Sequence, residues 1–589
     1  MSTVQKRDRF LLLAMGAVLL IVAAGLTNGL SAQAAKPRIA IFSGSNSTLQ
    51  HTRELITSNK AREKYGLPLR KNRDGSPERF DSLRPQRLAA PVTVYIEAYS
   101  AHPLESDASE LYAPPDGYVN KQTGAFSKDR KAPTDVPVYE VTLRPEDGLY
   151  QLPYMARQAD GSAWEGDCTG RNVSLDKCRV TFYPNAARIF EEIDRFGDNL
   201  LSSMADFDFY RPAPSGGYRK GLPAALRTDV GEGDIPKEVF GKDYFPYGGQ
   251  GRPEPAMPTL ARATNMVQKA MRTGKYAGAI WLEGSPTTEE SAYWLDLLID
   301  TTVPISANAS QSVHGSVGND GDLNMAYSVQ YIVSGIWKDE NGRDKIGGVM
   351  IQEKQAIMAR DVQKGDDHPG GYAPTGGYGG IVANMKPMTL TFVPNKKHTY
   401  TSEVNMTKLP PSVQGVKRSG SGIATVQVPI KDQKGDLLET AIPKVTFVKY
   451  AKYSNDDYSD DPADQVETVA RIEKNLTSFP LSGFVLEGKA PYGHADPPTM
   501  ASLERAARRG MPVVRVGRGS IQGMVTTDPN DLFIEGSNLT ATKARLLLMA
   551  SLMKLGALPV PADPDHPTNP ELQAIRAKIA QYQEIFDTH

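Results

Sequence analysis

Residues Tyr276 to Asp300, YAGAIWLEGSPTTEESAYWLDLLID, decide the fold of this chain. Ala277 to Leu282 is a short apolar run with aromatic and β-branched members, the pattern of a buried strand. The run breaks at Glu283-Gly284-Ser285-Pro286. Beyond the break, Thr287 with Glu290 three residues on spells a capping box, and Ala292, Leu295, Leu298 and Ile299 fall on one helical face. Strand, glycine turn and helix N-terminus predict an α/β fold, in which ligands bind beyond the carboxyl ends of parallel strands. Ser285 lies in that turn, near free backbone N–H groups and the positive end of a helix dipole. Two readings of its hydroxyl stand: a helix cap, or a group that meets a ligand.

The flanks repeat the theme. Upstream, Met257 to Thr273 has helical periodicity. Downstream, Val303 to Ala307 is a strand, and Asn319-Asp320-Gly321-Asp322-Leu323-Asn324 opens a helix over Met325 to Val333, with Asp320 as turn and cap residue. Gly347 to Gln352 is the next strand and leads into Met358-Ala359-Arg360-Asp361-Val362-Gln363-Lys364. Gly365 to Gly380 is glycine-rich and reads as loop. Near the start, the strand Arg38 to Phe42 runs into a small, hydroxyl-rich turn, Ser43-Gly44-Ser45-Asn46-Ser47-Thr48, and Val92 to Tyr99 is another strand. Near the end come a strand at Lys444 to Tyr450, a helix at Val466 to Asn475 and a strand at Gly483 to Glu487. A helix at Thr499 to Arg509, a strand at Pro512 to Val516 and a closing helix at Thr540 to Leu555 complete a small parallel α/β domain.

The nonapeptide Glu283-Gly284-Ser285-Pro286-Thr287-Thr288-Glu289-Glu290-Ser291, continued by Ala292-Tyr293-Trp294-Leu295-Asp296-Leu297, resembles a signature of the bacterial L-asparaginase family, closest to the periplasmic type II enzymes. That signature runs His-Gly-Thr-Asp-Thr-x-Glu-Glu-Thr into an aromatic-rich helix. The resemblance places the family's catalytic threonine on Ser285, and its His, Gly and Asp on Glu283, Gly284 and Pro286, the substrate-binding positions. Proline at 286 removes the carboxylate that holds the substrate's amino group. The turn after the first strand stands where the family has Ala-Thr-Gly-Gly-Thr-Ile. The nucleophilic threonine falls on Ser47, with Ser45 and Thr48 one or two residues away and Ser45 also a substrate-binding candidate. Tyr65 is the candidate for the family's lid tyrosine; the alternative is an exposed loop tyrosine. Arg360-Asp361-Val362-Gln363-Lys364 matches the family's Arg-Asp-Val-x-Lys and gives Lys364 the place of the catalytic lysine. The strands containing Ile280 and Val349 should therefore be near neighbours in one parallel sheet, with the Ser285 hydroxyl and Lys364 amine about 2.6–3.2 Å apart.

The implied architecture is α/β: a larger N-terminal parallel-sheet domain over 35–397, a linker over 398–440 and a smaller C-terminal domain over 441–589. About 111–258 departs from the family as an insertion, which is either a cover for the site or passive surface. It carries a hairpin of Val136 to Leu143 with Gly148 to Leu152 and a helix near Ala186 to Met204. Cys168 and Cys178 share one polar loop of it, and after export they pair as a disulfide, or else remain two thiols. The C-terminal loop Gly488-Lys489-Ala490-Pro491-Tyr492-Gly493-His494 occupies the place of a family loop that reaches a neighbouring subunit's site. Tyr492 stands near that loop's Asn position and the acidic residue of the next loop is deleted around Asp528, so the cross-subunit half of the site is not preserved. A homo-oligomer is an expectation from the resemblance alone.

At the N-terminus, Lys6, Arg7 and Arg9 precede the apolar run Phe10 to Leu26 and the small-x-small pattern Ala32-Gln33-Ala34. This reads as a signal peptide over 1–34, against the alternative of an uncleaved anchor, and puts the remainder in the periplasm or outside the cell. Lys+Arg 67 against Asp+Glu 68 leaves a net charge of -1, which gives no basis for a nucleic-acid or anionic-membrane partner. His398 has no second ligand at helical spacing and reads as a boundary residue. The resemblance implies hydrolysis of a small-molecule amide, L-asparagine or L-glutamine, by a hydroxyl nucleophile with lysine, without metal or cofactor. A binding protein that has lost the chemistry, or an amidase for another amide, are the alternatives.

Overall fold

The computed structural model describes residues 35–43, 74–76, 92–96, 115–120, 123, 125–143, 190, 193, 200–210, 256–285, 287–312, 318–366, 370–375, 380–450, 466–519, 523 and 531–589. In chain order the early strands are β1 (Arg38–Ser43), β2 (Val92–Ile96), β3 (Gly117–Val119), β4 (Phe126–Ser127), β5 (Val136–Leu143) and β6 (Asp206–Tyr210). The central segment is α1 (Ala256–Arg272), β7 (Gly278–Leu282), α2 (Thr287–Leu298), β8 (Ile305–Asn308), α3 (Gly321–Ser334) and β9 (Val349–Gln352). It continues through β10 (Gln355–Met358), β11 (Val362–Lys364), β12 (Tyr372–Pro374), β13 (Ile381–Met385) and β14 (Met388–Leu390).

The main sheet has eight strands in the order β14-β13-β10-β9-β8-β7-β1-β6. The five from β9 to β6 are parallel, and β10, β13 and β14 extend the sheet antiparallel. Both faces of the parallel part are covered, as such sheets require. Along the strands the side chains alternate: Ala40, Phe42, Ala279 and Trp281 belong to one apolar cluster, and Ile39, Ile41, Ile280 and Leu282 to another. The sheet differs from expectation at its edge, where Asp206–Tyr210, inside the stretch taken as insertion, pairs with β1 as a parallel strand. Val136–Leu143 pairs with Val92–Ile96 and with Gly117–Val119 in a separate antiparallel sheet, and its expected partner 148–152 lies outside the described residues. Phe190 is helical and buried, while most of the expected helix 186–204 lies outside them.

The helix α2 starts at Thr287 itself, so Thr287 is not its preceding cap residue, and the Glu290 carboxylate accepts from Arg545. Its expected apolar face is buried, but so is nearly all the rest from Thr288 to Leu298. A helix buried all round needs cover on every side. The main sheet supplies one side and the C-terminal domain the other.

That C-terminal domain begins with a long hairpin, β15 (Ser412–Ser419) and β16 (Gly422–Pro429), in the stretch taken as linker. It continues through β17 (Lys444–Lys449), α4 (Val466–Ser478), β18 (Ser482–Gly488), α5 (Pro497–Arg508), β19 (Val513–Gly517), β20 (Ile534–Glu535) and α6 (Ala541–Leu555). Its four strands are parallel in the order β17-β18-β19-β20. The chain closes not with α6 but with α7 (Asn569–Thr588), started by a Thr568–Glu571 capping box. Trp294, Leu295 and Leu298 of α2 share one apolar cluster with Leu547 and Leu548 of α6, so the two domains have a continuous core.

Candidate active site

Ser285 stands three residues beyond β7, at the carboxyl end of the parallel sheet. The turn that holds it is closed by Thr288, whose backbone N–H and hydroxyl both donate to the Gly284 carbonyl, at 3.1 and 3.0 Å. The Ser285 Oγ accepts a hydrogen bond from the Tyr372 hydroxyl at 2.7 Å, and the Gln311 amide lies at 3.5 Å. Burial pushes the Tyr372 phenol well above its ordinary range, which keeps its proton on the oxygen.

Lys364 ends β11 and is paired across an antiparallel ladder with Tyr372 on β12. Its amine donates to the Gly370 carbonyl at 3.1 Å and sits 5.2 Å from the centre of the Tyr372 ring. The direct bond expected between the Ser285 hydroxyl and the Lys364 amine is not among the hydrogen bonds of the described residues; the two share Tyr372 as a neighbour, Ser285 at its hydroxyl and Lys364 beside its ring. The route differs from expectation. Strands β7 and β9 lie in one parallel sheet with β8 between them, and the chain turns back through β10 before β11 brings Lys364 to the site. The backbone N–H of Lys364 donates to the Glu289 carboxylate, a residue of the first turn of α2. Burial raises the Glu289 pKa, against the pull of Lys543.

The floor of the site is a polar network. The Asp320 carboxylate accepts from Ser310 Oγ at 2.8 Å, from the Gln311 backbone N–H at 3.3 Å and from Gln352 Nε2 at 3.0 Å. Asn324 Nδ2 donates in turn to Gln352 Oε1 at 2.7 Å. Asp320 does stand at the start of α3, but its side chain makes no capping bond there. It holds the loop after β8 and thereby Gln311, the amide that faces Ser285.

Glu283 is buried, and its carboxylate accepts from the Trp281 indole N–H at 2.9 Å. Gly284 contributes the carbonyl that Thr288 uses. Ser45, Ser47, Tyr65 and Pro286 lie outside the described residues, as do Cys168, Cys178 and the leader 1–34. His398 is buried at the entry to the next domain, where burial lowers its pKa to about 4 and its ring bonds Thr399 at 3.1 Å. Tyr372, Gln311 and Glu289 are members of the site that sequence reasoning did not assign. Tyr372 was hidden in a glycine-rich stretch; Glu289 stood in the quoted signature without a role.

Residues 256–368 match the model of the asparaginase N-terminal domain. The matched stretch runs from α1 to just past Lys364 and encloses Ser285, Glu289 and Lys364. The glutaminase-asparaginase of Acinetobacter glutaminasificans is 31% identical over 153 residues, covering 26% of this chain and 43% of that protein. The L-asparaginase of Bacillus licheniformis is 31% identical over 105 residues, covering 18% and 31%. The chain thus spans less than half the length of the curated relatives it matches. The solved structure of a probable cytoplasmic L-asparaginase from Campylobacter jejuni is 17% identical with a TM-score of 0.42, covering 67% of this chain and 96% of that one.

Proposed function

We propose that this chain, an asparaginase relative through its central segment, is an amidohydrolase that releases ammonia from a small carboxamide, L-asparagine or L-glutamine. The observation that carries the proposal is the convergence of Ser285 and Lys364, both inside the matched segment, on Tyr372, which lies just beyond it. Tyr372 occupies the Ser285 lone pair as a donor, which leaves the proton of Ser285 free to be donated elsewhere. Such a donor also stabilises negative charge that builds on Oγ. Lys364 is the base of the pair: its amine takes the Ser285 proton, and the ammonium that results stands beside the charge on Oγ. In this reading Ser47, from the first strand's loop, attacks the amide carbon and is acylated. Its proton passes by way of the Ser285–Lys364 pair to the leaving nitrogen, which departs as ammonia, and water then hydrolyses the ester to the acid and restores the Ser47 hydroxyl. Tyr65 takes the part of the family's lid tyrosine in this reading.

Pro286 in place of a carboxylate removes one charge-assisted contact to the substrate's ammonium, of a kind worth about 1.5–3 kcal/mol. Discrimination for the α-amino group is accordingly weak, and Glu283, Gly284 and Ser45 carry what remains. The same proline favours a second reading, a binding protein that keeps the fold without the chemistry. Export behind residues 1–34, a Cys168–Cys178 disulfide and a homo-oligomer belong to the proposal as well. Purified mature protein incubated with asparagine and with glutamine, with ammonia measured over time, tests it. Saturable release from either amide is the expected result, and none from both leaves the binding protein or an amidase for another amide.

A further inference from the structure

Lys543 is 1% exposed. A lysine ammonium removed from water is costly unless its donors are met. It stands in the first turn of α6, in the C-terminal domain, yet its bonds run into the N-terminal domain. Its Nζ donates to the backbone carbonyl of Glu289 and, at 2.7 Å, to that of Ala359. It also lies 5.5 Å from the centre of the Tyr293 ring. Burial lowers its pKa to about 8, and Glu289 and Glu290 oppose the shift.

The two carbonyls belong to the two segments that build the site. Glu289 is four residues beyond Ser285, and Ala359 is five residues before Lys364. Glu289 is engaged twice: its carbonyl receives Lys543, and its carboxylate receives the backbone N–H of Lys364. A neighbouring contact, Arg545 with Glu290, also joins the domains, but its side chains are 28% and 35% exposed and it ties α2 to the C-terminal domain without bonding Ala359. Exposed pairs of that kind contribute little.

We propose that Lys543 is a positioning residue, which ties the Ser285 segment to the Lys364 segment so that docking of the C-terminal domain sets the geometry of the active site. Its effect on turnover rests on the amidohydrolase reading; its effect on the geometry does not.

The test is backbone hydrogen exchange on the full mature chain, beside kcat and KM for ammonia release. Lys543→Met keeps the stem and removes the ammonium. Exchange over 287–291 and 359–364 should rise about tenfold or more, with the core strands β7 and β18 unchanged. kcat should fall about tenfold while KM moves less. Arg545→Met should change neither. If Lys543→Met does not fold, Lys543→Gln, which retains a donor, is measured in the same way. Unchanged exchange in the two segments overturns the inference, and so does failure of both variants to fold, which makes Lys543 a stability residue only. Raised exchange in a protein whose wild type releases no ammonia leaves the inference standing and removes the amidohydrolase reading. Normal wild-type turnover with unchanged exchange does the reverse.

Discussion

Replacing Tyr372 by phenylalanine removes a single oxygen from the site. The ring that Lys364 faces at 5.2 Å stays, and so does the β11–β12 ladder. What goes is the 2.7 Å bond to Ser285 Oγ. If that bond only fixes a turn, its loss costs a net of about 0.5–1.5 kcal/mol, the ordinary worth of a neutral hydrogen bond, and this appears as stability. If negative charge grows on Ser285 during turnover, the loss is larger. Removing a donor to a developing oxyanion lowers kcat by about 10²–10³, or about 2.7–4 kcal/mol. Steady-state ammonia release with Tyr372→Phe distinguishes the two, with thermal unfolding as the control. The expected result is a kcat loss in that larger range, a KM within about threefold, and a nearly unchanged melting temperature. A kcat within about threefold of wild type would refute the role given to Tyr372.

Three further outcomes follow from other parts of the molecule. Burial raises the Asp296 pKa to about 7 and that of Asp344 to about 8, against backbone N–H donors at Gly348, Ile346 and Gly347. Acids held protonated by the fold stabilise it fully below about pH 4 and lose that contribution as pH rises through about 7 and 8. These two groups therefore pull the melting temperature down over that window, and Asp296→Asn should flatten the slope; a slope identical to wild type contradicts the assignment. Leu547→Ala, at a fully buried position between the domains, should cost about 2–5 kcal/mol in denaturant unfolding, and less than about 1 kcal/mol would mean that the interface core is loosely packed. Protein recovered from the periplasm should begin at Ala35 and show no reactive thiol when denatured without reductant; retention of residues 1–34, or two thiols, sinks the export or disulfide proposal.

The strand, turn and helix around Ser285 were legible because local pattern and buried environment agree there. Ile280 and Leu282 point to one apolar cluster, Trp281 to another, and no choice of register competes. The C-terminal strands and helices were legible for the same reason. Residues 569–588 were missed although the signal was present: Thr568 and Glu571 spell a capping box, and Ile575, Ile579, Tyr582 and Phe586 recur at helical spacing on the buried side. The hairpin 412–429 was passed over although its signal was present, with Val413 and Val416 on one strand, Ile423, Val426 and Val428 on the other, and a Gly-Ser turn between them. Within the site, Ser285 and Lys364 were found through motif. Tyr372 was not, because its meaning depends on a chain reversal through β10 to β12 that no local pattern encodes. Lys543 has the same history. On a helix it reads as a solvated charge, and only the packing of one domain on another makes it a buried donor.

The central claim, that Ser285 and Lys364 act as one unit, is tested most directly by a double-mutant cycle on ammonia release. Ser285→Ala and Lys364→Met should each remove most of kcat, and the double variant should be little worse than either single one. Losses that simply multiply, or a Lys364→Met enzyme with wild-type turnover, would contradict the account.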